Sequence, residues 1–141
     1  MAWKKLRQRE SYEEIWVSVG KEKEGYFTLK EGGELVGYFE KLNHSEKFDS
    51  PILNLVSEDK KTRYLLFAPA NLARQMEELE DKVGYGVLVR IIYKGKERRE
   101  RDGEEITYHS FEVEYDDERW LEGKFYLNYV GCKVKTALHL L

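Results

Sequence analysis

Cations and aromatic rings recur side by side along this chain. Lys41, Lys47 and Phe48 stand on or beside one polar stretch; Lys60, Lys61, Arg63 and Tyr64 follow. Tyr93, Lys94, Lys96, Arg98 and Arg99 form a third group, and Tyr108 lies a short way beyond it. Tyr38 precedes all of them, on the polar-alternating side of its segment, where exposure is expected. This pairing of residue types is what holds a single nucleic-acid strand: positive side chains follow the phosphates, and flat rings stack on bases for about 1–3 kcal/mol each. In purely structural terms the same residues are solvated ion-pair partners and rim or core rings.

Residues suited to catalysis are sparse by comparison. His44, His109 and His139 are scattered, and none has cysteine or carboxylate neighbours at metal-ligand spacing. His109 reads as a core or rim histidine. Cys132 has no CxxC partner and no adjacent base, which fits a small buried thiol. There is no P-loop and no GxGxxG; Gly84-Tyr85-Gly86 is too short for a phosphate loop and suits a turn into a strand. A metal-dependent nuclease needs a compact acidic constellation with a partnering lysine, and none stands out among carboxylates mostly flanked by Lys or Arg. The expectation is a protein with no catalytic residues, no metal and no cofactor.

The elements that must position the basic and aromatic residues follow from periodicity. Val87–Tyr93 and Ile106–Tyr115 alternate with period two and flank a stretch dense in charge, the pattern of a long β-hairpin. Asp102-Gly103 suits a turn with positive φ. The intervening segment is read as a charged loop, basic near the first strand and acidic further on. Upstream, residues 1–17 carry Trp3, Leu6, Tyr12, Ile15 and Trp16 at imperfect helical spacing. Tyr26–Leu29 is a short strand-like run, Glu34–Leu42 a longer strand, and Pro51–Ser57 with Thr62–Phe67 a hairpin. Ala68-Pro69 breaks the last of these. Asn71 can cap a helix in which Leu72, Met76 and Leu79 form one apolar stripe.

The expected fold is therefore mainly β: a five-stranded OB-fold barrel with one short helix between the third and fourth strands, plus N- and C-terminal extensions. A two-layer α+β sandwich accepts the same order. The expected organisation is an N-terminal extension with a lead-in strand (1–31), the barrel (32–118) and a C-terminal apolar extension (119–141).

Bulk properties narrow the partners. The 141 residues carry a net charge of −3, with 36% charged residues against about a quarter in ordinary domains, so a nucleic-acid surface has to be a local patch. No apolar run is long enough to span a bilayer, and the first ten residues lack a secretory h-region. The single cysteine fits a reducing, cytoplasmic setting. Abundant Glu, Lys, Arg and Tyr with few Gln and Asn point to a hot environment.

Several segments resemble small OB-fold proteins of bacteriophage replication modules, regarded as single-stranded DNA-binding proteins. They are Leu35-Val36-Gly37-Tyr38-Phe39, Phe48-Asp49-Ser50-Pro51, Phe67-Ala68-Pro69, Tyr93-Lys94-Gly95-Lys96 and Tyr108-His109-Ser110-Phe111-Glu112-Val113. The likeness spans roughly Gly32 to Tyr115. It implies a barrel that coats single-stranded DNA during replication or recombination, in host cytoplasm if viral, with a DNA role for Tyr38, Tyr93, Lys94, Lys96 and Tyr108. Such proteins commonly end in a flexible acidic tail; here Asp116-Asp117-Glu118 is followed by an apolar extension. Replication or recombination proteins and a second copy of the chain are the further expected partners. An assembly module using residues 119–141 as its contact surface is the alternative function.

Overall fold

The computed structural model describes residues 12–44, 47 and 49–121. Its longest feature grows from the Asp102-Gly103 turn, where φ is 53° and 79°, the doubly positive conformation that matches the twist of two paired strands. The turn joins β6 (Val87–Arg101) to β7 (Glu104–Trp120). Both strands outrun the alternating apolar stretches. The segment expected as a charged loop is a continuous ladder in which Arg98 faces Thr107, Arg99 faces Ile106 and Arg101 faces Glu104. Charge does not interrupt it because β3 pairs with β6 only from Leu88 to Ile92, and from Glu97 outward the two strands form an arm with water on both faces.

The strands β1 (Glu13–Val19), β2 (Phe27–Leu29), β3 (Glu34–Asn43), β4 (Ile52–Val56) and β5 (Thr62–Phe67) precede the helix α1 (Ala70–Lys82). One seven-stranded sheet results, in the order β2-β1-β5-β4-β3-β6-β7. The expected five strands are thus seven. The pairings β3–β4, β4–β5, β3–β6 and β6–β7 are all antiparallel. The free edge of β5 is taken by β1, lying parallel to it. That corrects the helical spacing inferred for residues 13–17. Val17 and Val19 alternate with Trp16 and Ser18, and this places the valines on the core face of a strand. Residues 1–11, with Trp3 and Leu6, lie outside the described residues.

No pairing joins the two outer strands, β2 and β7, among the described residues, so the sheet curls into a half-barrel. Its concave side holds the main core: Leu29, Leu35, Phe39, Leu53, Leu55, Leu66, Val87, Val89 and Ile91, closed at one end by Leu72, Met76 and Leu79 of α1 as the stripe predicts. A smaller cluster on the convex side packs Tyr38, Val56, Leu88 and Leu121 together.

The helix also covers part of the open edge of β7. Asn71 is not a cap; Pro69 holds the cap position and Asn71 lies inside the first turn. Its Oδ1 accepts the backbone N–H of Phe111 at 2.9 Å, while Gln75 Nε2 donates to the Phe111 carbonyl at 2.8 Å. Two side chains thus do for one residue of β7 what a neighbouring strand would do. Replacing Asn71 by alanine leaves a part-buried N–H unpaired, and about 1–3 kcal/mol of stability is expected to be lost, measurable as a lower urea midpoint with unchanged slope.

Candidate nucleic-acid interface

A cleft of about 570 Å³ lies at the seam of the half-barrel, where the end of β1 approaches the base of the hairpin arm. It is lined by Val19, Gly20 and Lys21 from one side, Tyr93, Gly95, Lys96 and His109 from the other, and Glu31 from the turn before β3. A register shift between Tyr93 and Gly95 shapes its floor. Gly95 has φ +94°, and a Cβ there would fall 2.5 Å from a Glu31 carboxylate oxygen. The backbone conformation favours glycine, while the exposed Glu31 side chain could swing aside for a Cβ.

Across the ladder Tyr93 pairs with Phe111 and Lys96 with His109, and the Tyr93 side chain reaches diagonally to His109. The Tyr93 hydroxyl is 2.6 Å from His109 Nδ1, and the tyrosine ring packs against Phe111 with centroids 5.2 Å apart. Burial, reinforced by Glu31, pushes the Tyr93 hydroxyl above the usual tyrosine range. Burial first, and the nearby Lys96 ammonium second, hold His109 below the usual histidine range, so the ring is neutral at neutral pH. As pH falls, the unfolded chain takes up this proton first, near pH ~6.5, and the folded state is penalised until its own lower value is passed. Stability from this group is therefore present above pH ~6.5 and lost below it. Melting at pH 7.5 and pH 5.5 is expected to show a smaller acid loss in His109→Gln than in the unaltered protein.

The residues singled out from sequence do not share one groove. On the concave side lie Tyr93, Lys96 and Tyr64, with Arg98 further out along the arm. Tyr93 is 3% exposed, so its ring is core and only its edge meets the cleft. Tyr64 is half-buried against the core and tilts onto Phe27 with centroids 5.6 Å apart. The opposite side carries Tyr38, Lys41, Arg63 and Lys94. Tyr38 is 6% exposed, which corrects the exposure expected from its alternation: Val36, Leu88 and Leu121 cover it, and Arg119 sits against its hydroxyl. Arg63 is turned inward to the buried Glu40, with Nη2 donating to Oε2 at 3.0 Å and Nε 2.7 Å from Oε1. That hydrogen bond raises its already high pKa. Lys94 pairs with Glu112 at 3.5 Å, Arg98 with Glu105 at 3.4 Å, and the Tyr108 hydroxyl donates to Glu97 at 2.9 Å. Lys41, Lys47 and Arg99 are exposed, and Phe48 lies outside the described residues.

Sequence reasoning missed the contribution of residues 20–31. Lys21 lines the cleft, the Lys23 ammonium lies 4.4 Å from the Tyr26 ring centroid, and Tyr26 and Phe27 are exposed. The signal was present, since Lys21, Lys23, Tyr26 and Phe27 repeat the basic and aromatic interleaving. Glu22 and Glu24 between them disguised it as mixed charge. Among the described residues no group of three or more His, Cys, Asp or Glu could hold a metal ion, and no helix is long and apolar enough to cross a membrane. No known protein family, curated protein or solved structure matches the chain.

Proposed function

We propose that this protein is a non-catalytic, sequence-tolerant binder of single-stranded DNA, acting in replication or recombination through an opened variant of the OB barrel. The strand lies along the seam cleft and the base of the hairpin arm. The observation that carries this is the charge in the seam. Lys21 and Lys96 line it, and among the described residues no carboxylate is in ion-pair contact with either, whereas Lys94 and Arg98, also on the arm, are each held by an acid. Unneutralised cations facing a cleft are what phosphates require. Tyr26 and Phe27 stand exposed on the nearby segment as rings on which bases can stack. Anisotropy titration of a labelled oligothymidylate at two salt concentrations tests the proposal. Binding that weakens as salt rises is expected, with a weaker response to duplex. Equal affinity for duplex, or none for either, would remove it.

One observation favours the assembly reading. Leu121, the last of the described residues, is 2% exposed and seated on Tyr38, Val56 and Leu88, an apolar site on the convex side. Residues 122–141 would then join two copies of the chain. Because Trp120 and Leu121 pack in the described fold, the informative truncation begins at residue 122 rather than 119. Light scattering would show a dimer reduced to a monomer under this reading, and no change in the number of chains per particle under the first.

A further inference from the structure

We propose that a phosphate group settling in the seam cleft between Lys21 and Lys96 draws a proton from solvent onto His109, so that strand binding is coupled to proton uptake; this rests on the single-strand reading above. The charged and titratable groups lining the cleft with His109 are Lys21 at the end of β1, Tyr93 and Lys96 on β6, and Glu31 before β3. Of these, Glu31 is the acid, and its carboxylate lies over Gly95 rather than in ion-pair contact with either lysine. In the free protein, partial burial and the Lys96 charge both oppose an imidazolium. A phosphate between the two lysines reverses the sign of the local field, and the nearest group able to respond near neutral pH is His109.

The Tyr93 contact permits the change without rearrangement. Against a neutral ring its O–H donates to Nδ1. Against the imidazolium the Nδ1–H donates to the hydroxyl oxygen, across the same 2.6 Å. The cleft thus gains a third cation only when an anion is present. The neutral ring spares the empty protein the repulsion of three clustered positive charges.

The test follows the His109 ring by NMR through a pH titration of the whole chain, alone, with an oligothymidylate and with inorganic phosphate. The oligonucleotide is expected to raise the midpoint by about one unit or more. Its affinity should then increase severalfold as pH falls from 8 to 6, a one-unit shift allowing about tenfold at most, and His109→Gln should abolish that increase. Oligonucleotide binding at every pH with an unmoved His109 overturns the inference and leaves the single-strand reading standing. Absence of oligonucleotide binding, with phosphate alone raising His109, removes the single-strand reading and upholds the clamp. A midpoint unmoved by both ligands overturns the inference.

Discussion

Arg63→Ala is expected to cost about 3–5 kcal/mol, enough to unfold a large share of a domain whose total stability is about 5–15 kcal/mol. The Glu40 side chain is 1% exposed, and Arg63 holds it through Nη2 at 3.0 Å and Nε at 2.7 Å. Arg63 also lies 3.7 Å from Glu14 and places its guanidinium 4.8 Å from the Tyr12 ring centroid. Removing it strands a carboxylate inside the convex face. Arg63→Lys should be intermediate, since an ammonium restores charge but not the planar fork. Replacing Arg63 and Glu40 together with methionine and leucine should cost much less than the alanine variant, because no charge is left buried. Urea midpoints measure all three. Chain that remains folded should bind an oligonucleotide as before. A small stability loss with a large affinity loss would return Arg63 to the interface.

That residue also marks the limit of what the sequence discloses. Residue type alone points to Arg63, Tyr64 and Tyr38, and type does not distinguish a cation facing a phosphate from one facing Glu40. The deciding contact is between residues twenty-three positions apart in the chain. Period-two alternation was legible wherever one strand face meets the core, as with Leu53 and Leu55 on β4. It misplaced Tyr38 because the convex face of β3 is covered by Leu121, which arrives from the far end of β7. The helix stripe and the Asp102-Gly103 turn were local features and were read directly. The length of the hairpin was not. Its outer part has no buried face, so its strand character rests on cross-strand partners such as Arg98 with Glu105. The open, seven-stranded form of the sheet is likewise beyond reach of the sequence. Which strand takes the edge of β5 is a competition among distant segments, and β1 prevails from a stretch whose charge obscured its alternation.

The seam makes its own demand on binding. Lys21→Glu with Lys96→Glu is expected to reduce oligonucleotide affinity by about 10- to 100-fold at low salt and to lower the salt slope by about 1.4, the value for two phosphate contacts on a single strand. Both side chains are exposed and neither has an ion-pair partner among the described residues, so the fold should be unaffected. Lys94→Glu with Arg98→Glu is the matched comparison, with the same change in net charge. Lys94 is on the opposite face against Glu112, and Arg98 is already opposed by Glu105 at the outer arm. Removing cations that acids already neutralise should weaken binding severalfold at most, and the lost ion pairs should matter little at exposed positions. If binding depended only on overall charge, the two pairs would lose affinity equally. If it depended on the arm rather than the cleft, the order would reverse. A larger loss from the Lys21 and Lys96 pair, with the salt slope reduced in that pair alone, assigns the phosphate track to the gap that the sheet leaves open between β1 and the base of β6.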